Sequence, residues 1–532
     1  MSVKPIVRLS VAVFVAGASF AASAAGAPAT PQSGGSLTYA IARFPPCLDR
    51  VQSNPEPSVF QQLTDNLLDQ DPDTGKIVPW LADRWTVSPD AKTYTFHLRS
   101  GVTFSNGEPL NAKVVADNFN LTWKLAQQGS ASAAQAFLKH FVSAEARDAS
   151  TVVIRFSEAN AGFEQAVTEK ALAILAPATL AAPLEQRCAK GVIGSGPFVI
   201  EQVKTNEQVV LKKRADYRWG SAAFHHQGAA YLDQLTFRVI PEPSVRVGGL
   251  LNGEVDAFFD ARPDDLPRLN AAGAHLIAGT SAGIAWTLMV NTSKPGLSEL
   301  AVRQALEHAI NRQELVDGLF GGKVKAATGV LSSNHPNYTN EAALLKYDPA
   351  LAAKLLDDAG WKVAGRDGIR AKNGQKLVLE LTFSGASEQP KFELIQQQLR
   401  QVGIGTKLQL QSVAEQVQAR QSGQWALDSR TWGRADADAL YYSYSTQVAP
   451  AKGVAPRPEF EAQLEKLGTT IDKEQRRALA AAVQKQILEQ GYGLPLHEVT
   501  LFVATSQKVH GLRLSNDPYR PIFFDTWLAP RS

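Results

Sequence analysis

Residues 78–110 read VPWLADRWTVSPDAKTYTFHLRSGVTFSNGEPL. Within this segment, polar and apolar residues alternate over 94–99, which is typical of a strand with one buried face. The residues before it at 88–90 (SPD) favour a turn, and those after it at 106–107 (NG) are a hairpin-turn signal. The segment therefore predicts a small antiparallel sheet, and Asn111 directly after it is suited to cap a helix.

Outward from this segment, predicted strands alternate with helices and also occur in runs, so we expect a mixed α/β protein. Strands are predicted at residues 36–41, 151–156, 198–203, 209–212, 235–240, 255–258, 286–291, 377–383, 407–410 and 426–429. Helices are predicted at residues 59–68, 244–251, 300–310, 351–359, 391–402 and 476–490.

The N-terminus has the three parts of a secretory signal peptide. Lys4 and Arg8 form a basic start, residues 9–22 are almost wholly apolar or small, and residues 22–24 (ASA) fit signal peptidase. The apolar stretch is shorter than the about 18–20 residues that span a bilayer, although an uncleaved anchor is the alternative. We therefore predict a signal peptide at 1–24, no membrane span, and export to the periplasm.

An Ala-, Pro-, Ser- and Gly-rich segment, residues 25–35, predicts a flexible leader. After it, the chain contains only two cysteines, Cys47 and Cys188. An oxidising compartment favours a disulfide between them, and two separate buried thiols are the alternative. The absence of a Cys-x-x-Cys pair argues against a metal site.

Composition excludes several classes of protein. The chain has 532 residues, of which 44% are hydrophobic and 20% charged, and this is typical of a soluble protein with two or three domains. Its formal charge is +3, without a long basic or acidic run. We therefore expect no nucleic-acid partner and no anionic membrane surface.

Two sequence motifs of common enzymes are absent. There is no His-Glu-x-x-His, and residues 194–197 (GSGP) lack the Gly-Lys-Ser/Thr of a phosphate-binding loop. We therefore predict no catalytic residue, no metal site and no cofactor. A periplasmic hydrolase stays open as an alternative of another class.

Taken together, the motifs resemble those of the family 5 extracellular solute-binding proteins of ABC importers, the peptide/nickel-binding group. Residues 78–110 resemble the family signature, and further blocks recur in the family's order over nearly the whole mature chain. These blocks are 194–198 (GSGPF), 239–243 (VIPEP), 252–256 (NGEVD), 302–306 (VRQAL), 347–349 (YDP), 359–361 (AGW) and 430–433 (RTWG).

The resemblance implies the large (type II, cluster C) two-lobed periplasmic binding-protein fold with an extra inserted subdomain. The core of lobe I is expected at 36–60, 191–285 and 495–532, the inserted subdomain of lobe I at 61–190, and lobe II at 286–494. It also implies a monomer that closes on a small solute and delivers it to a permease and ATPase complex in the inner membrane, without chemistry on the solute.

The resemblance places the ligand site near residues 425–441. Trp432 is expected to form an aromatic wall, and Asp436 or Asp438 to pair with the free amine of a peptide. Arg430 and Arg434 are further candidates. The alternatives are core packing for Trp432 and solvated or ion-paired surface positions for the two arginines.

The block at 430–433 resembles the nickel-binding branch in particular, but other positions depart from it. That branch uses a later histidine, and residues 442–453 contain none. Lys170 stands where the branch has an arginine that binds chelator carboxylates, and Ala134 falls near one of its aromatic positions. A di- or oligopeptide, or another peptide-like solute, is therefore the predicted ligand, and a nickel or other metal chelate is the alternative.

Overall fold

The computed structural model describes residues 30–49, 57–128, 132–447 and 454–530. The predicted signal peptide and the start of the leader lie outside these residues. At the end of the leader, the amide of Gly34 donates to the carbonyl of Tyr231 at 2.8 Å. None of the helices in the described ranges combines the length and the apolar character needed to cross a membrane.

A seven-stranded sheet is built around Ser36–Ile41, which runs parallel to Gln234–Val239 on one side and Ala257–Phe259 on the other. The other pairings in this sheet are antiparallel. Because parallel strands share a direction, these three strands end at the same edge. In spatial order the strands are His275–Thr280, Thr500–Thr505, Ala257–Phe259, Ser36–Ile41, Gln234–Val239, Gln208–Lys213 and Phe198–Lys204.

A second, five-stranded sheet has Leu427–Trp432 as its middle strand. This strand pairs parallel with Val378–Ser384 and antiparallel with Ile284–Val290, whose seven residues are all buried. A strand buried on both faces needs cover on both, and helices supply it. The strand order is Gly405–Gln411, Val378–Ser384, Leu427–Trp432, Ile284–Val290 and Gly493–His497.

A four-stranded antiparallel sheet contains much of the segment 78–110. The predicted hairpin is confirmed, since Ala82–Val87 pairs with Thr93–Leu98. The predicted cap is also confirmed, because Oδ1 of Asn111 accepts from the amide of Val114 at 3.1 Å at the start of helix Ala112–Gln127. The strand order is Ala82–Val87, Thr93–Leu98, Thr151–Phe156 and Phe141–Ala146.

The remaining elements are helices that cover the sheets and short strands in the connections. The other α-helices are Pro57–Phe60, Ser132–Phe137, Phe163–Ala166, Pro177–Ala181, Leu184–Lys190, Pro243–Leu251, Leu266–Ala271, Leu300–Ala309, Arg312–Phe320, Pro349–Asp358, Gln389–Gln401, Val413–Ser422, Ala439–Tyr444, Pro458–Thr469 and Lys473–Glu489. The 3-10 helices are Lys170–Leu172, Pro263–Asp265 and Ala386–Glu388, and the short strands are Leu68–Gln70, Ile77–Pro79, Lys362–Val363, Arg370–Lys372, Gln375–Lys376, Val509–His510, Arg513–Leu514, Pro521–Ile522 and Trp527–Leu528.

Separate apolar cores lie on the two large sheets. One core joins the seven-stranded sheet, through residues such as Leu37, to the four-stranded sheet, through residues such as Phe96. Another packs Leu288 of the five-stranded sheet on helices that include Val302 and Phe392. The four-stranded sheet therefore packs with the seven-stranded sheet and not with the five-stranded one.

The two large sheets are connected by two neighbouring crossings of the chain. Residues 281–283 lead from the seven-stranded to the five-stranded sheet, and residues 498–499 lead back. The amide of Ser281 donates to the carbonyl of Val499 at 2.9 Å, so the two crossings lie side by side. Paired crossings of this kind are where two bodies can rotate relative to each other.

One predicted element is wrong. The helix predicted at 59–68 is confined to Pro57–Phe60, and the chain turns and then forms the strand Leu68–Gln70. The backbone of the segment bonds to distant residues instead, as when the amide of Phe198 donates to the carbonyl of Gln62 at 3.1 Å. Burial on all sides produced the apolar pattern there, so its helix-like spacing was accidental.

Cys47 and Cys188 are joined in a disulfide. A buried ion pair lies beside it, between Arg187 and Asp49 at 3.0 Å. The disulfide closes a segment of 141 residues in sequence separation, which holds the four-stranded sheet. Both ends of that segment are thereby held at one point of the molecule.

Candidate ligand-binding site

Trp432 lies at the end of its strand, beside the first crossing between the large sheets. It pairs with Ile284, and a Cβ atom added to Gly283 would lie only 1.9 Å from its carbonyl oxygen. Its ring is partly exposed and stacks on Tyr442 with centroids 5.5 Å apart. The strand was predicted to end at Ser429, but it continues to Trp432, so this ring is held by a sheet and not by a loop.

Arg430 precedes Trp432 by two residues and therefore lies on the same face of the strand. It is 9% exposed, and its guanidinium group is attracted by Asp428 but makes no hydrogen bond or close ion pair with the residues that the structure describes. Burial and the neighbouring Arg420 lower the pKa of Arg430 to about 10. The nearby Asp428 is already bound by Arg420 and by Gln416, at 2.5 and 2.7 Å.

Arg434, Asp436 and Asp438 form a buried network with Arg476. Arg434 binds both carboxylate oxygens of Asp438, with 2.6 Å between Nη2 and Oδ2. Arg476 binds both oxygens of Asp436, with 2.8 Å between Nη1 and Oδ2. Burial alone would raise the pKa of Asp436, but Arg476 and Arg434 outweigh burial and hold the pKa below its ordinary value. Each of the two carboxylates is therefore paired with an arginine of its own.

Residues on either side of the strands Phe141–Ala146 and Thr151–Phe156 lie against this network. The guanidinium of Arg434 lies 4.5 Å from the ring centroid of Phe137, and its Nη2 is 3.5 Å from the carbonyl of Gly162. Lys139 donates to the hydroxyl of Tyr441 at 3.0 Å. The segment from the four-stranded-sheet region thus contacts the segment that follows Trp432.

Lys170 lies at the start of the 3-10 helix Lys170–Leu172. It lines a cavity of about 40 Å³ together with Asn66, Asp69 and Arg520. Next to it in sequence, Glu169 forms an ion pair with Arg520 at 3.5 Å and contributes to the electrostatics of Arg434. The structure therefore brings Arg434, Asp436 and Asp438 together, and Glu169, the sequence neighbour of Lys170, interacts electrostatically with Arg434.

Sequence reasoning did not find Arg476, Phe137 or Gly162. Arg476 lies on the helix Lys473–Glu489, 40 residues beyond its partner Asp436. A charged residue in a helix predicts only a solvated position, and no motif marks these three residues. Within the described ranges, no group of three or more His, Cys, Asp or Glu residues could hold a metal ion.

Comparison with known proteins assigns the chain to a family. Residues 76–452 match the sequence profile of the bacterial extracellular solute-binding proteins, family 5. The nickel-binding periplasmic protein of Escherichia coli (strain K12) is 30% identical over 464 residues, which are 84% of this chain and 85% of that protein. The probable di/tripeptide-binding protein 5 of Pseudomonas aeruginosa (strain UCBPP-PA14) is 26% identical over 514 residues, covering 92% and 94%.

A solved structure shows the same fold. NikA from Brucella suis in complex with Fe(III)-EDTA superposes with a TM-score of 0.82 and 24% identity, covering 93% of this chain and 100% of that one. The predicted two-lobed periplasmic binding-protein fold is therefore confirmed. The chain belongs to family 5 of the bacterial extracellular solute-binding proteins.

Proposed function

We propose that the chain captures a di- or oligopeptide, or a peptide-like solute with a free carboxylate, and delivers it to an ABC permease and ATPase complex. The solute is held by closure of the two lobes and leaves chemically unchanged. Lobe I comprises 36–60, 191–285 and 495–532 with the subdomain 61–190, and lobe II comprises 286–494. The protein acts as a monomer in the periplasm.

The observation that carries this proposal is the guanidinium of Arg430, which is attracted by Asp428 but makes no hydrogen bond with the described residues. A largely buried cation without a hydrogen-bond acceptor is costly, and a solute carboxylate would supply two charge-assisted hydrogen bonds. Trp432 on the same strand face offers an apolar wall to the rest of the solute. Asp436 and Asp438, by contrast, are already paired with arginines, so they are less suited to a peptide amine than the sequence predicted.

A metal chelate is the second candidate, because the Escherichia coli relative is a nickel-binding protein. Carboxylates of a chelator would satisfy Arg430 as well as those of a peptide. The absence of histidine at 442–453 and the lysine at 170 favour the peptide. The Pseudomonas aeruginosa relative, a probable di/tripeptide-binding protein, supports the same choice.

A thermal-shift panel with the mature chain tests the ligand class. It compares dipeptides and tripeptides with the same peptides carrying a C-terminal amide, and with nickel–histidine complexes. A ligand at 100 times its Kd stabilises the folded state by about 2.7 kcal/mol, so the melting temperature should rise with the free acids and not with the amides. If the melting temperature rises only with the nickel–histidine complexes, the ligand is a metal chelate and not a peptide.

Substitution of Arg430 by Met tests the site itself. The expected result is a loss of at least about tenfold in affinity for the peptides that shift the wild type, because truncating one partner of a desolvated charge pair costs about 2–5 kcal/mol. Trp432→Ala should weaken the same peptides and reduce the fluorescence change on binding. Arg84→Met, at an exposed position, is the matched control.

Unchanged affinity in Arg430→Met and Trp432→Ala would place the ligand elsewhere. Liquid chromatography of the same peptides after incubation separates capture from hydrolysis, since a hydrolase would shorten them. Mass spectrometry of the periplasmic protein should give a chain that begins at Ala25, as removal of the signal peptide 1–24 requires.

A further inference from the structure

Gly162 faces three charged groups of the other lobe. An added Cβ would lie 2.8 Å from Oδ2 of Asp438, 3.1 Å from Oδ1 of Asp436 and 3.3 Å from Nη2 of Arg434. The backbone of Gly162, with φ of −88° and ψ of 2°, is open to any residue. The position is therefore restricted by what lies across from it and not by its own conformation.

Further contacts surround Gly162 on both sides. The amide of Ala161 donates to the carbonyl of Gly468 at 2.9 Å, and the hydroxyl of Tyr442 donates to the carbonyl of Ala136. We call the set formed by residues 136–139 and 161–162 with 434–442, Gly468 and Arg476 the closure contact. It joins the proposed inserted subdomain to the proposed lobe II through backbone groups and buried ion pairs.

The four buried charged side chains of the closure contact balance among themselves, while Lys139 lies at its partly exposed edge. Arg434 and Arg476 carry two positive charges, and Asp436 and Asp438 carry two negative ones. All four are largely buried, and each carboxylate has its own arginine. A solute charge is therefore not needed to neutralise these four groups. The two sides of the closure contact therefore fit by steric complementarity, and a side chain in place of the hydrogen of Gly162 would disrupt that fit.

We propose that Gly162 is a positioning residue for lobe closure. Because Gly162 lacks a side chain, the 134–163 segment can pack closely on the two buried ion pairs. This contact stabilises the closed form equally for every solute, so it affects affinity and not selectivity. Asp436 and Asp438 then serve closure and not the ligand. The inference rests on the proposed function, in which the lobes close on a solute.

The test compares Gly162→Ala and Gly162→Val with Gly318→Ala and Gly318→Val. Gly318 lies in the helix Arg312–Phe320, and a Cβ there meets nothing within 4 Å. Small-angle X-ray scattering measures the radius of gyration with and without the dipeptides and tripeptides of the panel, and calorimetry measures their Kd. We expect the radius of gyration to increase from wild type through Gly162→Ala to Gly162→Val. The Kd should rise about tenfold or more, and within one variant it should rise by the same factor for each peptide.

Equal radii for wild type and both Gly162 variants, in every condition, would overturn the inference, as would a Kd change confined to some of the peptides. If Gly162→Val fails to fold by circular dichroism, Gly162→Ala and Lys139→Met decide. The latter removes the contact with Tyr441 from a partly exposed position and should also enlarge the radius. A wild type that binds no peptide but is more compact than the Gly162 variants would refute the proposed ligand and leave this inference standing.

Discussion

At the scale of single residues, burial fixes the protonation state of His335 beside the closure contact. The side chain is 3% exposed, and its Nδ1 accepts from the amide of Asn337 at 2.9 Å. Burial lowers the pKa of His335 to about 4. The negative charge of Asp436 raises this pKa and the positive charge of Arg476 lowers it, but burial has the largest effect. The ring is therefore neutral in the folded protein at pH values where it is protonated in the unfolded chain.

The sign of the pH dependence follows from these two pKa values. Between pH 6.5 and about 4 the unfolded state binds a proton that the folded state does not, so the free energy of unfolding falls as the pH falls. We expect His335→Gln to remove up to about 1.4 kcal/mol per pH unit of this slope, as measured by urea denaturation at several pH values. His275→Gln, at an exposed position, should keep the wild-type slope. Parallel slopes for wild type and His335→Gln would contradict the prediction.

At the scale of elements, the helix Ala112–Gln127 depends on its cap. Asn111 satisfies the amide of Val114, which would otherwise lack a partner in the first turn. We expect Asn111→Ala to cost about 1 kcal/mol and to lower the melting temperature by about 2–4 °C. Asn111→Asp keeps an acceptor at this position and should retain most of the stability.

Lys124→Ala, an exposed change within the same helix, is the second control. If Lys124→Ala lowers the melting temperature as much as Asn111→Ala does, the loss of stability is not specific to the cap hydrogen bond. The same helix packs Phe119 against Phe163, which directly follows Gly162, so the cap also supports the segment that carries the closure contact.

At the scale of the whole molecule, the disulfide between Cys47 and Cys188 anchors the segment that carries the four-stranded sheet. A loop of this length gives a chain-entropy stabilisation of about 5 kcal/mol at most. We expect the double variant Cys47→Ser with Cys188→Ser to melt several degrees below wild type by calorimetry. A reducing agent should lower the transition of wild type and leave that of the double variant unchanged. Equal melting temperatures under oxidising conditions would contradict this.

Local features that the sequence displays directly were predicted well. Alternation over 94–99 and the flanking turns gave the hairpin, and Asn111 gave the cap, because side-chain period and capping are properties of neighbouring residues. The ordered motif blocks gave the family and its two-lobed fold. The boundaries of the lobes stay a prediction.

What the sequence by itself determined was therefore the hairpin, many of the other sheet strands, fewer than half of the helices, and the family. A ligand site in the neighbourhood of Trp432 stays a prediction. Only the tertiary structure decided which charges in that neighbourhood are engaged. Asp436 looks as available as any loop carboxylate until Arg476 is brought to it from 40 residues away, while Arg430 makes no hydrogen bond with the described residues. Gly162 likewise gains its meaning from three side chains more than 270 residues distant. The physical reason is that propensity and periodicity act between neighbours, whereas ion pairing and close packing depend on where distant segments meet.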